Sequence, residues 1–152
     1  LSAPAERLYL DGADPDVAAR HVARYEKAVA LADRADAICL DYACGSGYGS
    51  QIIARTAHLV IGYDSDMAAI RYAIDQHDAA NVVYTGIRSH NWWWAFDVIV
   101  SIETLEHLPS SEQSGLIADF ARWLRPDGVL VLACPLGNGP STSNPYHLHE
   151  PT

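Results

Sequence analysis

Ile38-Cys39-Leu40-Asp41-Tyr42-Ala43-Cys44-Gly45-Ser46-Gly47-Tyr48-Gly49-Ser50 is the stretch whose reading decides the fold. An apolar run ends in an acid, three alternating glycines follow, and helical spacing then resumes, which reads as strand, tight turn and helix. Glycine at Gly45 and Gly47 opens backbone conformations closed to other residues and leaves room for a ligand against the main chain. A dinucleotide fingerprint would carry its third glycine at Ser50, and its strand would not normally end in an acid. A phosphate-cradling loop would close with Gly-Lys-Ser/Thr, and the turn holds no lysine.

Outward from the turn, strands and helices alternate. Upstream, Val17, Val22, Tyr25, Val29 and Leu31 predict a helix over residues 17–34, after an irregular lead-in over residues 1–16 punctuated by Pro4, Gly12 and Pro15. Downstream, a short helix over residues 51–55 leads to His58-Leu59-Val60-Ile61-Gly62-Tyr63, a second strand that ends at Asp64. An acid there, about 20 residues past the glycines, is placed to accept hydrogen bonds from both ribose hydroxyls of a nucleoside. Asp64 or Ser65 can also cap the following helix, whose apolar side is Met67, Ala68, Ile70, Ala73 and Ile74.

Asn81-Val82-Val83-Tyr84 predicts the third strand and Asp97-Val98-Ile99-Val100-Ser101 the fourth. Between them, Trp92, Trp93 and Trp94 cannot all point inward from one short segment. They read as a hydrophobic plug, a lid over a ligand, or an interaction surface. Ser110 with Gln113 predicts a capping box for a helix whose buried side is Leu116, Ile117, Phe120, Trp123 and Leu124. Arg125-Pro126-Asp127-Gly128 ends that helix, and Val129-Leu130-Val131-Leu132-Ala133-Cys134 is the fifth strand. Residues 135–152 are rich in Gly, Pro, Ser and Asn and read as a loop. His147-x-His149-Glu150 lacks accompanying residues at ligand spacing, so no metal site is expected. The alternation implies an α/β fold with a mainly parallel sheet in the order 3-2-1-4-5.

The 152 residues fit a single domain with a sizeable core, and 49% hydrophobic with 19% charged residues is ordinary for a globular protein. A net charge of −9 disfavours nucleic acid and anionic membrane surfaces as partners. No apolar run is long enough to cross a bilayer and no signal segment opens the chain, which points to the cytoplasm. Cys39, Cys44 and Cys134 are odd in number and lack C-x-x-C spacing, so they read as small apolar filler in a reducing compartment.

The arrangement Asp41-x-x-x-Gly45-x-Gly47-x-Gly49 resembles the first motif of class I S-adenosylmethionine-dependent methyltransferases. Further stretches resemble the same family: His21-x-x-Arg24-Tyr25, Glu103-Thr104-Leu105-Glu106-His107-Leu108 after the fourth strand, Leu124-Arg125-Pro126-Asp127-Gly128, and Asn144-Pro145-x-His147-x-His149-Glu150. The resemblance spans roughly residues 17–150. It implies a Rossmann-like, doubly wound sheet with helices on both faces, here lacking the family's terminal antiparallel strands. It also implies S-adenosylmethionine as cofactor, S-adenosylhomocysteine as product, and methyl transfer to a small-molecule acceptor. By resemblance, Asp41 orients the amino-acid part of the cofactor, and Ala43, Cys44, Gly45, Gly47 and Tyr48 surround it. Asp64 holds the ribose, Ser65 is a further cofactor-binding residue, and Ile102 lines the cofactor. Glu103 and His107 border the acceptor, with His107 the candidate base.

The family usually carries an acid after the third strand for the adenine amino group, whereas this chain reads Thr85-Gly86-Ile87-Arg88. Adenine would then meet backbone groups and Ile87, or Asp78 or Asn91 from another direction. An apolar fifth strand at a sheet edge calls for cover, either by the loop over residues 135–152 or by a homodimeric or heteromeric partner. A second reading is a noncatalytic module or partner subunit that binds S-adenosylmethionine or S-adenosylhomocysteine. A nicotinamide-dependent oxidoreductase is third, for want of the fingerprint glycine.

Overall fold

A computed structural model of the chain describes residues 7–33, 36–89, 91–137 and 146–151. Strand β1 (Ile38–Tyr42) is central, with β2 (Leu59–Tyr63) and β3 (Val82–Thr85) on one side and β4 (Phe96–Ile102) and β5 (Leu124–Ala133) on the other. The order is β3-β2-β1-β4-β5 and every pairing is parallel, as expected from the alternation of apolar runs with helical segments. The connecting helices are α1 (Pro15–Leu31), α2 (Tyr48–Ile53), α3 (Met67–His77) and α4 (Ser110–Trp123), with a 3-10 turn at Leu105–His107.

Strand alternation divides the interior into two cores. Cys39, Val98, Val100 and Ile102 face Tyr25 and Ala28 of α1 and Ile52 and Ile53 of α2. Leu40, Phe96 and Ile99 face Leu116, Phe120 and Trp123 of α4. Every residue of β4 is buried, because both of its faces and both of its edges are covered. Tyr25 joins α1 to α2 by lying directly on Gly49, where any Cβ would overlap its ring.

Several element ends differ from expectation for local reasons. Helix α2 begins at Tyr48, immediately after the left-handed Gly47 (φ 91°). The cap of α3 is Asp66, whose side chain accepts from the Ala68 amide, and neither Asp64 nor Ser65. No capping box opens α4: Ser110 is already helical, Pro109 precedes it, and the Gln113 amide donates to the carbonyls of Leu105 (2.9 Å), Leu108 (3.2 Å) and His149 (2.7 Å). Strand β5 starts at Leu124, five residues earlier than the apolar run, because Leu124 pairs with Phe96 before an irregularity brings Val129 opposite Val98. Arg125, inside that irregularity, reaches back to the buried Asp97 (2.7 Å). The expected lead-in over residues 1–6, the end of the first helix at residue 34, and the loop over residues 138–145 and at 152 lie outside the described residues.

The three indoles divide. Trp92 packs edge-on against Tyr63, Phe96 and Trp123, so it is a plug, while Trp93 and Trp94 are 61% and 66% exposed. Strand β5 forms one edge of the sheet, and among the described residues no strand pairs with its outer side. No described helix is long and apolar enough to cross a membrane.

Two glycine replacements test this packing with opposite expected signs. Gly49→Ala drives a methyl group into Tyr25 and lowers stability by about 1–3 kcal/mol. Gly115→Ala, in α4 with open space around the new methyl, raises it by about 0.5–1 kcal/mol. Urea denaturation of the two variants beside the parent protein measures both.

Candidate active site

A cavity of about 580 Å³ opens at the carboxyl ends of β1, β2 and β4, the place where a parallel sheet of this order changes winding direction. Its volume lies within the about 300–1,000 Å³ range of small-molecule and cofactor sites. Residues 43–47 form the floor. Ala43 (φ 62°), Gly45 (φ 56°) and Gly47 (φ 91°) are all left-handed, which coils the main chain back beneath the opening. A Cβ at Gly47 would approach the Ala73 methyl to 2.6 Å, so α3 and the turn meet here only through glycine.

Asp41 holds this turn from below. It is fully buried and accepts hydrogen bonds from the hydroxyls of Ser50 (2.6 Å) and Tyr25 (3.2 Å). Burial raises its pKa to about 7, against the two hydrogen bonds, which favour the ionised form. The turn is also tied sideways to β2, since the Cys44 amide donates to the Tyr63 carbonyl (2.9 Å).

At the end of β2, Asp64 joins the turn to the start of α3. Its Oδ2 accepts from the Gly45 amide (3.0 Å), and its Oδ1 from the Asp66 amide (2.8 Å) and from Arg7 (3.3 Å). Arg7 also reaches Asp66 at 2.5 Å, and the Ser46 hydroxyl donates to the Leu8 carbonyl (2.7 Å). The lead-in chain is thereby strapped across one side of the opening.

The opposite wall comes from the end of β4 and the 3-10 turn. Glu103 is left-handed (φ 52°), its amide donates to the Ala133 carbonyl (2.7 Å), and its carboxylate pairs with Arg24 (3.1 Å). His107 sits within hydrogen-bond distance of the Tyr146 carbonyl (3.0 Å from Nδ1), so Nδ1 carries a proton and, in the neutral ring, Nε2 carries the lone pair. His21 faces the same space, with Nδ1 3.1 Å from the Tyr48 hydroxyl, and burial lowers its pKa. Burial raises the phenols of Tyr25, Tyr48 and Tyr63, which therefore present neutral rings to the cavity.

Of the residues singled out from the sequence, Ala43, Cys44, Gly45, Tyr48, Asp64, Ser65, Ile102, Glu103 and His107 line this one cavity. Asp41 and Gly47 lie beneath it. Ile87 is not brought to it: the residue is 77% exposed, and its neighbour Arg88 lines the wall instead. Neither Asp78 nor Asn91 nor any of Trp92, Trp93 and Trp94 reaches the lining. His21 and Tyr25 do, whereas Arg24 acts on Glu103.

Arg7, Tyr42, Tyr63, Arg88 and Tyr146 were missed. Tyr42 and Tyr63 end adjacent strands in register, so the strand-end rule could have found them. Nothing in the local pattern marks Arg7 or Tyr146, which arrive through long-range folding.

A model of the methyltransferase domain family matches residues 14–148, and the chain belongs to that family, the class I S-adenosylmethionine-dependent methyltransferases. A probable S-adenosylmethionine-dependent methyltransferase of Mycobacterium tuberculosis is 31% identical over 138 residues, covering 86% of this chain and 48% of its own length. This chain spans slightly less than half the length of the curated relatives it matches. Among solved structures, the YcgJ protein of Bacillus subtilis superposes with a TM-score of 0.72 at 18% identity, covering 87% of this chain and 63% of that one. The N-methyltransferase NodS of Bradyrhizobium japonicum, in complex with S-adenosyl-L-homocysteine, gives 0.70 at 20% identity, covering 85% and 67%. Both share the fold.

The buried Asp41 carries a pH signature. Its folded-state pKa lies above that of the unfolded chain, so the folded protein holds the extra proton, and the associated stability is lost as pH rises from about 4 through about 7. Asp41→Asn, which keeps an acceptor oxygen, removes that slope. The difference between parent and variant unfolding free energies, followed from pH 5 to 8, changes by on the order of 2–4 kcal/mol.

Proposed function

We propose that this chain binds S-adenosylmethionine and catalyses methyl transfer to a small-molecule acceptor, releasing S-adenosylhomocysteine. The observation that carries the reading is the Asp64 carboxylate, bonded to the Gly45 amide and standing at the rim of the cavity over a turn of three left-handed residues. Clamp and cradle are one hydrogen-bonded unit.

The residues present fit the cofactor. An ionised carboxylate offers about four acceptor positions, and Asp64 uses three of them on Gly45, Asp66 and Arg7. Two ribose hydroxyls need two, so Arg7 yields its place when the ribose arrives. The turn backbone leaves the floor free of side chains at Gly45, and the neutral side chains of Tyr25, Tyr48 and Tyr63 border the space a cationic ligand would enter. Asp41 does not border the cavity and acts as a positioning residue through Tyr25 and Ser50.

When bound, S-adenosylmethionine supplies a methyl group on a sulfonium, with a neutral leaving group. The protein's work is then alignment and exclusion of water, with a proton removed from the acceptor where the nucleophile requires it. Nε2 of His107, its lone pair fixed by the Nδ1 bond to Tyr146, is the group able to take that proton. Glu103, steered by Arg24, borders the acceptor space. A net charge of −9 and acidic groups at the wall favour a small, neutral or cationic acceptor over nucleic acid. Three free cysteines suit a cytoplasmic setting, and the outer edge of β5 is where a second copy or a partner subunit would add a strand.

Isothermal titration with S-adenosylhomocysteine tests the clamp. The parent protein binds, and Asp64→Ala weakens binding by about 10–100-fold through loss of hydrogen bonds to a charged acceptor. Unchanged affinity in the variant contradicts the ribose assignment. Production of S-adenosylhomocysteine over a panel of acceptors then separates enzyme from noncatalytic module: binding without turnover supports the latter.

A further inference from the structure

Behind the cavity wall lies a group that methyl transfer does not use. Glu106 is completely buried, and neither of its carboxylate oxygens receives a hydrogen bond from the described residues. A buried carboxylate costs several kcal/mol unless a proton or a cation neutralises it. Its surroundings are specific. One carboxylate oxygen of Glu106, one ring nitrogen of His107 and one of His147 lie within 4.8 Å of one another, and the two imidazoles meet edge to face at 5.3 Å.

Both histidines are oriented from behind. Nδ1 of His107 lies 3.0 Å from the Tyr146 carbonyl, and Nδ1 of His147 lies 2.8 Å from the Glu150 carboxylate. Each of these acceptors requires a proton on Nδ1, so in the neutral rings Nε2 carries the lone pair. A histidine that gives its outer N–H to a carbonyl or carboxylate and keeps the other nitrogen as a donor is the arrangement that orients metal ligands. The segment carrying His147 is also fastened to the cluster, because the Glu106 carbonyl accepts from the amides of Leu148 (2.7 Å) and His149 (3.2 Å). The carboxylate of Glu103 interacts with that of Glu106 but is paired with Arg24 (3.1 Å) and lies outside the group of three.

We propose that Glu106, His107 and His147 bind a divalent first-row cation. Two imidazoles and one carboxylate form a borderline donor set that suits zinc-type ions better than magnesium or calcium, which prefer all-oxygen shells. Ligands about 2 Å from such an ion stand about 3.3 Å apart, so binding draws the three side chains inward by about 1.5 Å at most. Three protein ligands leave a position for water or an acceptor oxygen, and His107 lines the main cavity. With the cation bound, the Nε2 lone pair of His107 is taken up and His107 no longer serves as the base; that consequence rests on the proposed methyl transfer, whereas cation binding does not.

The test is titration of tag-free, chelator-stripped protein with zinc chloride and, separately, magnesium chloride. One zinc ion binds per chain, at least about tenfold tighter than magnesium. Glu106→Gln and His147→Ala each weaken zinc binding by at least about tenfold, since even orienting partners of ligands contribute that much. His58→Ala, at the opposite end of β2, leaves it unchanged. Absence of zinc binding up to about 1 mM, or equal affinity in the parent and both ligand variants, overturns the proposal. His147→Ala decides the matter if Glu106→Gln does not fold. Affinity for S-adenosylhomocysteine measured in EDTA keeps the two readings apart: cofactor binding without metal leaves the cation site to stand or fall by its own titration.

Discussion

A carboxylate without solvent, Asp41, governs the arrangement of this molecule. It stands one residue before the end of the central strand and cannot be left unpaired, so it draws the Ser50 hydroxyl down from α2 and the Tyr25 hydroxyl across from α1. Those two bonds fix the helix that follows the glycine turn and the helix that covers it. Tyr25 can reach only because Gly49 has no side chain in its way. The turn that floors the cavity is therefore held between two helices by one buried acid, and Ala43, the non-glycine among its three left-handed residues, sits where a relaxed chain would not keep it.

The second organising acid, Asp64, does for the side of the turn what Asp41 does from below. Its two oxygens reach the Gly45 and Asp66 amides, so the ends of β1 and β2 are locked at a fixed distance. Asp97, at the opposite end of the sheet, shows how different a buried acid can be: it accepts from the Ile38 amide (2.9 Å) and from Arg125, and so ties β1, β4 and β5 together. Position relative to the strand ends, and not residue type, separates the acids that face a ligand from those that do not.

The sheet was legible because its signal is local. Five apolar runs separated by helical spacing leave one economical topology, and the order came out as read. Helix and strand ends were less legible, since Gln113 spends its amide on three carbonyls, two before its helix and one in the last loop, and β5 begins early to pair Leu124 with Phe96. At the site, residues adjacent to the glycine turn and to the strand ends could be read directly. Arg7 and Tyr146 could not, because each reaches the cavity from a segment without regular structure. Ile87 failed for a related reason: the residues after β3 follow neither period, so the sequence does not say which of Ile87 and Arg88 turns inward. The pairing of Glu106 with His147 likewise joins residues far apart in the chain, which no spacing rule could anticipate.

The central claim is that the cavity over the glycine turn accepts an adenosyl ligand with its ribose on Asp64. A crystal structure of the protein grown with saturating S-adenosylhomocysteine tests it most directly. The account predicts density for the ligand along residues 43–47, both ribose hydroxyls within hydrogen-bond reach of the Asp64 carboxylate, and Arg7 displaced from it. A ligand bound elsewhere, or a cavity still closed by the Arg7–Asp64 pair at saturation, would contradict it.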